Sequence, residues 1–119
     1  MSLGNIVVVE PDDLIRELLG RWLSDAGYEV KMPLNDPEAA MVKFGLVIAD
    51  ISNPGSAQAT IAELRDAYAA PVLVLSARFR SGLGGSSEAA QRIGAVKVLP
   101  KPFTREELLT AVRAAMGKL

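Results

Sequence analysis

Residues 5–19, NIVVVEPDDLIRELL, change character halfway. The first part is an unbroken apolar run ending at Glu10. After Pro11, Asp12 and Asp13, the apolar residues Leu14, Ile15, Leu18 and Leu19 recur at helical spacing, continue to Trp22 and Leu23, and stop at Gly27. An unbroken apolar strand is covered on both faces, as in a parallel sheet, whereas a half-exposed antiparallel strand alternates. A strand running straight into a helix is the first part of a right-handed crossover, so the fold turns on whether the pattern repeats.

It repeats down the chain. Further short runs rich in Val, Ile and Leu are YEVKM (28–32), LVIAD (46–50), VLVLS (72–76) and AVKVL (95–99). Between them, NDPEAAMVKF (35–44) predicts a short second helix, with Asn35 or Asp36 as cap and Pro37 in its first turn. Ala57, Ile61, Leu64 and Tyr68 predict a third, and SSEAAQRIG (86–94) a fourth. Thr104 and Glu107 fit a capping box that opens a fifth, with Leu108, Leu109, Val112 and Met116 on one face. Strand and helix alternating in this way predict an α/β fold with a doubly wound, five-stranded parallel sheet. The expectation is a single domain over residues 1–119, in which Met-Ser-Leu (1–3) has the look of a cloning remnant. A chain of this size buries somewhat over roughly 60% of its unfolded surface, enough for one core.

Composition narrows the function classes. Thirteen Lys and Arg against fourteen Asp and Glu leave a net charge of -1, which offers no footprint for a polyphosphate backbone, so no direct nucleic-acid binding is expected. Without Cys or His there are no disulfides, thiol nucleophiles, imidazole bases or usual zinc ligands. No stretch approaches the roughly eighteen apolar residues of a membrane span, and nothing before the first strand marks export, so the expected location is cytoplasmic.

In doubly wound sheets, ligands bind beyond the carboxyl ends of the strands, where the winding reverses. The sequence puts Glu10, Asp12 and Asp13 after strand one, Asp50 after strand three, Ser76 after strand four and Lys101 just after strand five. Each has an ordinary reading. Asp50 could cap the next loop, Asp12 could N-cap helix one, and Lys101 could be a solvated surface lysine. Capping alone does not need carboxylates, a hydroxyl and an ammonium at one end of one sheet.

These stretches resemble the receiver domain of response regulators in bacterial two-component signalling, over nearly the whole chain. IVVVEPDDLIRELL (6–19) is similar to the family's acidic opening, LVIADISNPG (46–55) to its phosphoacceptor strand and loop, PVLVLSAR (71–78) to its switch strand, and GAVKVLPKPFTREELL (94–109) to its Lys-Pro ending. The resemblance implies a flavodoxin-like, CheY-like sheet with strand order 2-1-3-4-5. It implies that Asp50 accepts a phosphoryl group from a histidine kinase or phosphotransfer protein, that Ser76 is the switch hydroxyl, and that Lys101 is the phosphate's counter-cation. Such a chain is a phosphoacceptor that assists its own phosphorylation and dephosphorylation rather than an enzyme. It also implies a cis Lys101-Pro102 bond, Mg²⁺ as cofactor, and a downstream protein partner on the face of helix four, strand five and helix five.

Three departures stand out. The family's second acidic position, its direct Mg²⁺ ligand, is Pro11, so the carry-over leaves Glu10, Asp50 and the Ser52 backbone carbonyl. Glu10 could reach the metal directly or through water, or Asp12 could swing in. Alternatively the chain is a degenerate pseudo-receiver, a phosphorylation-independent protein interaction module. Val98 replaces the aromatic residue usual three positions before the lysine, and a β-branched side chain cannot make a ring's inward and outward exchange. RFRSGLGGSS (78–87) is longer and richer in glycine than the family's turn. A haloacid-dehalogenase-like phosphatase would need D-x-D-x-T where this chain reads Asp50-Ile51-Ser52-Asn53, and a flavodoxin's first loop would not carry Glu10, Asp12 and Asp13 against a phosphate.

Overall fold

The computed structural model of the protein describes residues 4–31, 43–51, 55–76 and 94–116. The elements run β1 (Asn5–Val9), α1 (Asp13–Asp25), β2 (Glu29–Lys31), β3 (Leu46–Asp50), α2 (Ala57–Tyr68), β4 (Val72–Ser76), β5 (Lys97–Pro100) and α3 (Arg105–Ala115). All pairings are parallel, and the five-stranded sheet has the order β2-β1-β3-β4-β5, as expected. The helices expected over 35–44 and 86–94 and the 78–87 loop lie wholly or mainly outside the described residues.

Period-two alternation sends each strand's side chains into two cores. Ile6, Val8, Leu46, Ile48, Leu73, Leu75 and Leu99 pack with Leu19 and Leu23 of α1 and with Leu108 and Val112 of α3. Val7, Val47, Ala49, Val72, Val74 and Val98 pack with Ala57 and Ile61 of α2 on the other face. Burial on both faces is what the unbroken apolar runs required.

The helix signals act locally. Asp12 is the N-cap of α1, its Oδ1 accepting the N–H groups of Leu14 and Ile15 at 2.9 and 3.1 Å. Gly27, at φ 103°, takes the left-handed conformation that ends α1, while the Tyr28 N–H returns to the Leu23 carbonyl at 3.0 Å. Both halves of the Thr104–Glu107 capping box form, at 3.1 and 2.8 Å.

Some boundaries and faces differ from the reading. β1 ends at Val9 rather than Glu10, because Pro11 has no N–H for the ladder. Among the described residues β2 covers Glu29–Lys31 at the sheet edge, with Tyr28 buried before it and Met32 outside the described residues, and β5 runs from Lys97 to Pro100, where a proline is tolerated on an edge strand. On α1, Leu14 and Leu18 face solvent, 79% and 42% exposed, because the buried stripe is Ile15, Leu19, Trp22 and Leu23.

Candidate functional site

Between β1 and β3 the winding reverses, and the site gathers at the carboxyl ends of these strands and their neighbours. Register pairs Val9 with Ala49, Asp50 with Leu75, and Ser76 with Pro100, so Glu10, Asp50, Ser76 and Lys101 come to one edge of the sheet. The Lys101 N–H extends the β4–β5 ladder by one bond to the Ser76 carbonyl at 3.1 Å. Lys101-Pro102 is cis, as expected. Phe103 then sets its ring edge-on against Trp22 of α1, centroids 6.5 Å apart, which anchors the loop carrying Lys101.

The ammonium of Lys101 bridges two carboxylates. Its Nζ lies 2.8 Å from Asp50 Oδ1 and 3.1 Å from Glu10 Oε1, with side chains 19%, 16% and 1% exposed. Burial pulls the Lys101 ammonium down. Its hydrogen bonds and attraction to Asp50 and Glu10 outweigh that, so its pKa stands above the ordinary 10.5. The other Glu10 oxygen, Oε2, accepts the Asp12 N–H at 3.1 Å, and the Glu10 carbonyl accepts Arg16 Nη1 at 2.9 Å. Among the described residues every buried side-chain nitrogen or oxygen has a partner.

Of the residues singled out from sequence, the structure brings together Glu10, Asp50 and Lys101, with Ser76 fully buried at the end of β4 beside them. Asp12 sits at the N-terminus of α1, where its Oδ1 caps the helix. Ser52 lies outside the described residues. Val98 is 1% exposed and packs in the α2-side core. Two features were missed. The reading gave Glu10 to the metal and overlooked its ion pair with Lys101, and it gave Arg16 no role. The only signal for Arg16 was a cation one turn into the helix behind the acidic loop.

Among the described residues no three acidic side chains cluster as a metal cage. Mg²⁺ uses one or two carboxylates and keeps several waters, so Glu10 and Asp50 fit it as a reduced donor set, with nothing contributed by the exposed ring of Pro11.

No family model matches the chain. The uncharacterized transcriptional regulatory protein YkoG of Bacillus subtilis is 34% identical over 98% of this chain and 52% of its own length. The chain spans about half or less of the curated relatives it matches. A response regulator receiver protein from Burkholderia phymatum superposes with a TM-score of 0.72 at 25% identity, covering 97% of this chain and 96% of that one. The receiver domain of the sensor histidine kinase PA1611 from Pseudomonas aeruginosa, with a magnesium ion coordinated in its active site cleft, matches at TM-score 0.68 and 21% identity over 97% and 98%. With the strand order and the two-carboxylate, one-lysine site already in view, these likenesses identify the chain as a CheY-like receiver domain of the response-regulator class.

Proposed function

We propose that this receiver accepts a phosphoryl group on Asp50 from a histidine kinase or phosphotransfer protein, in the cytoplasm, and thereby changes its affinity for a downstream protein. The observation that carries this reading is the 2.8 Å contact between the Lys101 ammonium and Asp50 Oδ1. An isolated buried aspartate would need only a partner. An aspartate at a strand end, paired to a lysine arriving from another strand, is poised for phosphoryl transfer.

The demand on the site is electrostatic. As an Asp50 oxygen bonds to phosphorus, the bond from phosphorus to the donor's imidazole nitrogen breaks and the imidazole leaves, so negative charge crowds the three phosphoryl oxygens. Lys101 follows that charge from Asp50 onto the phosphoryl group without reorganising. Mg²⁺ would be held by Glu10 and Asp50 and would supply further neutralisation. The Ser76 hydroxyl lies one strand over from Asp50, where turning toward a phosphoryl oxygen couples the chemistry to β4. The protein acts as phosphoacceptor, positioning and neutralising, and is not an enzyme with turnover on a separate substrate. The face built on β5 and α3 is the surface through which the partner reads the change.

Intact mass after incubation with a small-molecule phosphoryl donor, with Mg²⁺ and with chelator, tests this beside Asp50→Asn. Gain of one phosphoryl group that needs Asp50 supports the reading. No gain in folded protein, with a standard receiver labelled in parallel, points to the second reading, a phosphorylation-independent interaction module. One observation favours that alternative: Pro11 stands at the metal position.

A further inference from the structure

Glu10 is held from three directions. Its Oε1 lies 3.1 Å from Lys101 Nζ, its Oε2 accepts the Asp12 N–H at 3.1 Å, and its carbonyl accepts Arg16 Nη1 at 2.9 Å. Of these anchors only Arg16 belongs to a helix. β1 has ended at Val9, so the Glu10 carbonyl is the first beyond the paired strand, and Pro11 brings no N–H to the loop that follows. The other terminal nitrogen of Arg16 pairs with Asp13 in the first turn of α1, so the guanidinium fork is held on both prongs and is itself 24% exposed. The chain of contacts runs from α1 through Arg16 to the Glu10 backbone, along its buried side chain, and out to the ammonium beside Asp50.

We propose that Arg16 is a positioning residue of the phosphoryl pocket: it ties the Glu10 carbonyl to α1 and, through Glu10, sets where the Lys101 ammonium stands beside Asp50. This deepens the reading of Asp50 as phosphoacceptor and rests on it. The reason is geometric. A charge that stabilises a transition state does so only where it is already aimed, and a misplacement of about 1 Å by a distant change costs up to about a hundredfold in rate. Of the three anchors only Arg16 acts on the Glu10 backbone, so losing it lets the carboxylate and the ammonium beside it shift together.

The test uses the full chain with Arg16→Met, which keeps the apolar stem and removes the donors, Arg16→Lys, which restores one donor, Glu10→Gln, and the Arg16→Met/Glu10→Gln pair. Two quantities are read: the rate constant for Asp50 labelling by acetyl phosphate, and the ¹³Cε and ¹⁵Nζ resonances of Lys101, assigned with Lys101→Met. Arg16→Met is expected to slow labelling about tenfold without changing the half-saturating donor concentration, to move the Lys101 resonances, and to be largely rescued by Arg16→Lys. In the Glu10→Gln background it is expected to add nothing, the mark of two residues acting through one path. Equal slowing in both backgrounds, or Lys101 resonances that stay put in Arg16→Met, would overturn the proposal. Should Arg16→Met fail to fold, Arg16→Leu, which also keeps an apolar side chain without a donor, is read the same way. If the wild-type chain takes no phosphoryl group, the phosphoacceptor reading fails while the Lys101 resonances still decide the role of Arg16.

Discussion

Lys101 Nζ stands 2.8 Å from Asp50 Oδ1 and 3.1 Å from Glu10 Oε1, so one ammonium from the loop after β5 bridges a carboxylate just past β1 and another at the end of β3. For phosphoryl transfer this predicts that Asp50→Asn abolishes labelling, by removing the nucleophile. Lys101→Ala slows labelling by about a hundredfold, the usual loss when one preorganised electrostatic donor goes. Intact mass against time measures both, and labelling that persists in Asp50→Asn would take Asp50 out of its role.

Removing the lysine also strands a buried charge. Glu10 keeps the Asp12 N–H but loses its counter-ion, with its side chain 1% exposed. Lys101→Met is therefore expected to lower unfolding free energy by about 3 kcal/mol, the scale for breaking one side of a buried ion pair. Adding Glu10→Gln should recover much of that loss. Urea denaturation of the three proteins measures it, and a single Lys101→Met that is as stable as wild type would mean Glu10 is solvated in solution.

The same pair fixes a sign for pH dependence. The Lys101 pKa is raised above the ordinary 10.5 because hydrogen bonds to Asp50 and Glu10 outweigh burial. A raised lysine pKa means that the folded state holds its proton more tightly than the unfolded state. Its stabilisation is complete below the unfolded pKa and disappears as pH rises through the folded one. Wild type should thus lose more stability than Lys101→Met on entering the strongly alkaline range. Parallel denaturation curves against pH check this, with superimposable slopes as the contrary result.

Pro11 gives a gain-of-function prediction. An aspartate there adds a third carboxylate beside Glu10 and Asp50, and the affinity of a hard-cation site rises with its charge count. Pro11→Asp should tighten Mg²⁺ binding on the order of tenfold, read by calorimetry on unphosphorylated protein. Unchanged affinity would place the metal elsewhere.

Thr104 and Leu108 separate capping from packing in α3. Thr104→Ala removes the side chain that accepts the Glu107 N–H and should cost about 1 kcal/mol. Leu108→Ala opens a cavity under a fully buried residue and should cost about 3 kcal/mol. Urea midpoints in the reverse order would overturn this account of how α3 is held.

The sequence by itself determined whatever rests on contacts a few residues apart. Asp12 caps Leu14 and Ile15, Thr104 answers Glu107, and apolar runs of β-branched residues become strands buried on both faces, because in each case the partner is a near neighbour along the chain or the solvent itself. The alternation of those elements implies a doubly wound parallel sheet, which is why the meeting of Asp50, Ser76 and Lys101 at one sheet edge was legible, while the strand order itself came from the resemblance to receiver domains. Tertiary structure alone decided what those groups do to one another. Glu10 and Lys101 are separated by 91 positions, and whether the ammonium reaches one carboxylate or two depends on strand register, on Phe103 resting against Trp22, and on the angle at which Glu10 leaves β1. Arg16 and Leu14 make the same point from opposite sides. Arg16 of α1 turns inward to a backbone carbonyl, while Leu14 of that helix faces solvent, because a helix's orientation on its sheet is set by the best-packed stripe as a whole and not by any single residue.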